Sequence, residues 1–287
     1  MKRLLTGLFM TASLVTSASH AASVWQVSNG DNTLYIGGTL HILSPSDYPL
    51  PEAYDKAYQK SDVLVFETDM QSVTSPAFAA KVMQQNTYQN GKTIADDLSD
   101  DTYQKLTEFL KARQLPVEQV VTLKPAMLGL TLTMMEYQRA GLTSQGVDAH
   151  FFAKGAEQEK QIDWFESPDE QLAFISKMAD GQEDAFIRYT LEDIQELDKL
   201  IGPMKKHWRS GDMDELHTIT LKDFKETYPD VYEDLLVNRN ANWLPKIKAL
   251  IKTPETEFIL VGTLHMPGDK GVLSLLEAQG YTITQLD

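Results

Sequence analysis

Cysteine is missing from all 287 positions. That excludes a thiol nucleophile, a cysteine-linked lipid anchor and any metal site built on thiolates. It also excludes disulfides, so the fold must rest on its own packing. Basic residues are scarce as well: 26 Lys and Arg against 41 Asp and Glu give a formal net charge of −15. Such a chain repels phosphate backbones, and no basic stripe offsets the repulsion, so a nucleic-acid partner is not expected. The densest basic segment, Lys205–Arg209, is short, sits among acids and reads as a solvated helix end. Beyond the N-terminal segment the most apolar run is Ala126–Met135, interrupted by Gly129, Thr131 and Thr133. It is too short to cross a bilayer, and no integral membrane contact is expected. There is no His-Glu-x-x-His, no Gly-x-Ser-x-Gly, no phosphate loop and no dinucleotide glycine motif. These gaps set aside the commonest zinc-protease signature, the usual α/β serine hydrolase and the nucleotide-dependent enzymes.

What is present begins with an export signal. Lys2 and Arg3 precede an apolar segment, Leu4–Val15, and Ser19-His20-Ala21 supplies small residues before a cleavage point. Residues 1–21 therefore read as a signal peptide, and cleavage leaves residues 22–287 with a net charge of −17. The expected location is the periplasm of a Gram-negative cell or the medium. The remaining length suits one sizeable core, and no low-complexity linker divides it. Residues 22–287 are accordingly expected to form a single catalytic domain with helical insertions.

Gly-Thr-Leu-His occurs twice, at Gly38–His41 and Gly262–His265. Each copy follows an apolar strand pattern, Leu34–Ile36 and Phe258–Val261, and each is followed by a proline and a helical pattern. A strand ending in glycine can turn sharply and hold the following imidazole at a fixed place above a sheet. Val24–Val27 and Thr33–Ile36 flank Asn29–Asn32 as a hairpin, and Val63–Phe66 is a strand ending at Glu67. Ile162–Phe165 is a further strand, and Tyr281–Leu286 a closing one. Ser167-Pro168-Asp169-Glu170 and Asp212 with Glu215 mark helix starts. Strand-bearing ends thus enclose a helix-rich middle, an α/β (α+β) chain with a mixed sheet core.

His41, His265 and Glu67 are the leading candidates for chemistry. Two imidazoles and a carboxylate make an open metal site, whose ion would acidify a bound water and polarise a carbonyl. Asp148 and His150 read either as groups orienting a ligand imidazole or as a helix cap and a partly buried side chain. Arg239 reads as an oxyanion donor or as an ion pair tying a helix to the acidic core. Met127, Met134 and Met135, at helical spacing, read as adaptable core.

Several of these blocks together resemble the TraB/GumN family, whose relatives include the animal Tiki proteins. The likeness rests on Tyr35–His41 with Leu43 and Pro45, Leu64–Asp69, Gly146–Phe151, and Trp164–Ser167 with Gln171. Trp208 with Gly211-Asp212, Arg239-Asn240, Gly262–His265 and Gly271–Tyr281 complete it, in the family's order. The resemblance implies an α/β architecture with both Gly-x-x-His motifs and the glutamate around one site. It also implies metal-dependent proteolysis, with His41, Glu67 and His265 as metal and catalytic residues and Arg239 beside them. The divalent ion would be manganese, cobalt or zinc, and the substrate a peptide or envelope polypeptide. Two other readings remain open: a metal-independent His/Glu hydrolase of erythromycin-esterase type, and a non-catalytic protein binding a metal, haem or peptide. The sequence gives no oligomeric state.

Overall fold

The computed structural model describes residues 21–30 and 32–287. The expected signal segment up to His20, and Asp31 in the first hairpin, lie outside the described residues. Among the described residues six strands form one mixed sheet: β1 (Val24–Asn29), β2 (Asn32–Thr39), β3 (Val63–Thr68), β4 (Gln161–Glu166), β5 (Glu257–Gly262) and β6 (Thr282–Gln285). Their order is β4-β3-β5-β2-β1-β6. β4, β3, β5 and β2 run parallel, whereas β1 pairs antiparallel with both β2 and β6.

The helices α1 (Glu52–Lys60), α2 (Met70–Val73), α3 (Pro76–Asn86), α4 (Asp100–Ala112), α5 (Pro125–Arg139) and α6 (Val147–Glu157) precede β4. Then come α7 (Pro168–Lys177), α8 (Glu183–Ser210), α9 (Met213–Thr220), α10 (Lys222–Thr227), α11 (Pro229–Tyr232), α12 (Asn238–Leu250) and α13 (Val272–Glu277). The chain is thus mixed α/β with a helix-rich middle, as its sequence pattern indicates.

Both faces of the sheet are covered, which explains why β3 and β5 read as continuous apolar runs rather than alternating ones. Leu64, Phe66, Phe258 and Leu260 pack with Tyr54 and Tyr58 of α1, Phe151 of α6 and Trp208 of α8. On the opposite face Val63, Val65, Ile259 and Val261 pack with Trp243 and Ile247 of α12 and Val272 and Leu276 of α13. A separate helical cluster joins Leu106 of α4, Leu128 and Leu132 of α5, and Ile187, Leu191 and Ile194 of α8.

The segment Lys205–Arg209 departs from the solvated helix end that its charges suggest. Trp208 is fully buried, and its Nε1–H donates to the Gly38 carbonyl at 2.8 Å. Lys205 pairs with Asp47 at 2.5 Å, and Arg209 donates to the Asp47 and Pro49 carbonyls. This end of α8 clamps the first Gly-x-x-His strand from behind. Met127, Met134 and Met135 are half-buried, and Met127 packs against the helical cluster.

Candidate functional site

In the parallel register Thr39 of β2 lies beside Gly262 of β5, and Phe66 of β3 beside Leu260. Both Gly-x-x-His motifs and Glu67 therefore leave the carboxyl ends of three adjacent parallel strands, where open α/β sheets place ligands. The fourth strand, β4, contributes Glu166 at the same edge. Gly262 marks the crossing point. A Cβ there would lie 3.1 Å from Glu67 Oε1, 3.4 Å from His41 Nε2 and 3.6 Å from His265 Cδ2. The structure brings all four sequence candidates, His41, Glu67, Arg239 and His265, to this corner.

His41 lies in a bend just after β2, and its Nδ1 lies 2.7 Å from Asp148 Oδ2 on α6. A carboxylate oxygen accepts, so Nδ1 carries the proton and Nε2 is left free. Close packing of the start of α6 on the motif sets this contact. A Cβ at Gly146 would stand 2.2 Å from the His41 carbonyl carbon, and Val147 N–H donates to the Leu40 carbonyl at 2.9 Å. The attraction of Asp148 raises the His41 pKa to about 9; burial opposes it and Glu67 adds to it. The ring itself is 63% exposed, so surrounding water screens that attraction.

Glu67 and His265 stand deeper. Glu67 Oε1 accepts the Gly262 N–H at 2.6 Å, and Oε2 accepts Arg239 Nη2 at 2.6 Å. Burial favours the neutral acid, but Arg239, His265 and His41 outweigh it and hold Glu67 down at about 2. His265 sits in a one-turn 3-10 segment, Thr263–His265, rather than an open loop. Its Nδ1 donates to Asn240 Oδ1 at 2.6 Å, and its ring packs 4.4 Å from the Trp243 ring. Burial drives its pKa to about 3, with Arg239 and His41 acting in the same direction against Glu67. His265 is therefore neutral, with its Nε2 lone pair directed at Arg239.

Arg239 ties these groups together. Nε donates to Glu166 Oε1 at 2.9 Å, Nη2 to Glu67 and to Glu166 at 2.8 Å, and Nη1 to the Leu235 carbonyl at 3.2 Å and to His265 Nε2 at 3.1 Å. A guanidinium has five N–H donors, and all five are engaged. Arg239 thus fixes the site rather than offering a free donor to an oxyanion. Glu166 is held further by Trp243 Nε1–H at 2.8 Å, and Gln171 reaches both glutamates at 3.3 Å. A wide π turn, Glu233–Val237, precedes α12 and aims the Leu235 carbonyl at Arg239. Such turns often mark functional positions.

Sequence reasoning gave no role to Glu166, Asn240 or Trp243. Glu166 shares the signal that singled out Glu67, an acid closing an apolar strand. For Asn240 the only cue is its adjacency to Arg239. Asp148 takes the orienting role of its two readings, whereas His150 packs on Tyr48 and Phe151 and stays outside the network.

The donor chemistry suits a divalent ion in one respect. Asp148 and Asn240 hold both imidazoles through Nδ1, the arrangement that readies Nε2 for a metal. The arrangement as it stands does not fit one, because a cationic guanidinium already engages His265 Nε2 and Glu67 Oε2. Among the described residues no three His, Asp or Glu side chains are grouped so as to hold an ion. From this corner a cleft of about 480 Å³ opens between α2, α3, α5 and α7.

Neither a curated protein nor a solved structure matches the chain. A family model does, over residues 23–285, nearly the whole chain. With both Gly-x-x-His motifs and Glu67 at one sheet edge, the chain belongs to the TraB/PrgY/gumN family.

Proposed function

We propose that the protein is an exported hydrolase in which His41 removes a proton from water attacking a carbonyl group. The observation that carries this reading is the 2.7 Å contact of His41 Nδ1 with Asp148, which leaves Nε2 open toward the cleft. Asp148 holds the ring and its tautomer and stabilises the imidazolium formed when the proton arrives. Glu67, fixed by Arg239 and Gly262, keeps lone pairs with which to orient the water. The proton then passes from His41 to the departing alcohol or amine. Arg239 holds Glu67 in place, and His265 in turn accepts from Arg239.

A second reading, metal-assisted peptide hydrolysis, draws on the Nδ1 contacts of both imidazoles. His41, His265 and Glu67 would hold the ion once Arg239 had turned away. The ion would supply a more acidic water and a polarised carbonyl.

One experiment separates the two. Purified protein and its His41→Ala, His265→Ala and Asp148→Asn variants are assayed on esters, amides and peptides, with metal content measured for each. Under the first reading His41→Ala loses about 10²- to 10⁴-fold in kcat/KM, the usual contribution of a positioned base. Activity of the parent then survives exhaustive chelation. One ion per chain, absent from both histidine variants and needed for turnover, would replace that reading with the second. Full activity in folded His41→Ala would sink both.

A further inference from the structure

The cleft beyond His41 is built unlike a groove for an extended peptide. Its long walls carry Met70, Val73, Phe78, Met127, Leu130 and Phe174 among other apolar side chains. The polar lining groups belong to its inner end. Thr68 adjoins Glu67, Gln171 bonds both glutamates, Asp148 bonds His41, and Ser144 stands close before Gly146. A peptide brings one N–H and one C=O per residue, and each needs a partner when desolvated. Helical walls have spent their own backbone groups internally and provide none. At about 480 Å³ the space falls in the range of small-molecule cavities and far exceeds one amino-acid side chain.

Charge at the inner end narrows the choice further. Every N–H of Arg239 is taken, and Asp148 faces His41. Among the described residues the two cations here, Arg239 and His41, are each paired with carboxylates, so a neutral carbonyl is favoured at this end and hydrocarbon beyond it. Met70 and Met127 give the walls the adaptability that suits a flexible chain.

We propose that the cleft receives an unbranched apolar acyl chain, so that the bond cut at His41 is a neutral ester or amide of a medium- or long-chain acyl group. The bond-cutting half rests on the hydrolase reading above; the binding half stands without it. In the reaction water adds to the acyl carbonyl carbon and the C–O or C–N bond breaks. The proton taken by His41 leaves with the alcohol or amine, and the carboxylic acid is released. No oxidant or co-reactant is needed.

The test uses 2-alkanones of rising chain length, which mimic the acyl group but cannot be hydrolysed, in competition with a bound apolar fluorophore. Turnover of p-nitrophenyl esters of the same lengths is measured in parallel. Affinity is expected to climb by up to about fourfold per methylene until the cleft is filled. Leu130 is 41% exposed at this wall, so Leu130→Glu should fold and flatten that climb by at least tenfold for a ten-carbon chain. Affinity that rises with length while no ester is hydrolysed keeps the acyl site and removes the hydrolase. Affinity independent of length overturns the proposal. So does tighter binding of a blocked apolar tripeptide than of the ten-carbon ketone, or a Leu130→Glu variant that keeps the full climb.

Discussion

Asp148 determines how His41 titrates, and with it how the site should respond to pH. The raised pKa means that the imidazolium dominates at neutral pH, while a base must be deprotonated. kcat/KM should therefore rise with pH and level off near 9, and Asp148→Asn should move the limb down toward 6.5, the unperturbed value. A profile that falls over the same range would show His41 working as an acid instead. The stability sign runs the other way. The pair contributes fully below the unfolded value of 6.5, and its contribution is lost as pH rises through about 9. Arg239 makes the second residue-scale case. Arg239→Met would strand Glu67 and Glu166 in the interior without their cation. Breaking a buried pair in this way costs about 3–5 kcal/mol, readable by chemical denaturation. Arg239→Lys should rescue little, because one ammonium cannot span two carboxylates and an imidazole.

The elements that carry the chemistry were largely legible in the sequence because their signals are local. Apolar runs closed by Glu67 or by Gly-x-x-His follow from strands buried on both faces and ending at one edge. The capping box at Ser167 forms as its residues suggest, with Ser167 N–H donating to Glu170 at 2.7 Å. What stayed hidden depends on partners far along the chain. Lys205–Arg209 looks solvated by composition alone, and only the neighbouring Gly38 carbonyl and Tyr54 hydroxyl explain a buried tryptophan there. The π turn before α12 has no side-chain signature, and Asn240 gains its role only when His265 folds against it. Because α8 presses Trp208 against β2, Trp208→Ala should cost about 3–5 kcal/mol in denaturant unfolding. It should also lower activity, since the strand it supports carries His41. Stability within about 0.5 kcal/mol of the parent would restore the view of a solvated helix end.

At the scale of the whole molecule the sheet joins segments from both ends of the described chain. β1 lies between β2 and β6, and Ala22 N–H donates to the Leu286 carbonyl at 3.2 Å. Ends that meet in this way tolerate relocation. A circular permutant joining Asp287 to Ala22 through a short linker, with new ends in the exposed turn at Asn90-Gly91, should keep its far-UV dichroism and its activity. Loss of the fold would mean that the order of synthesis matters as well as the final contacts. The same strand order has a further consequence for time. β2 completes its pairing only with β5, and β1 only with β6, so the first strands made wait for the last. A chain still being synthesised cannot seal this sheet, and the corner that joins His41 to His265 comes into being only when the last strands are made.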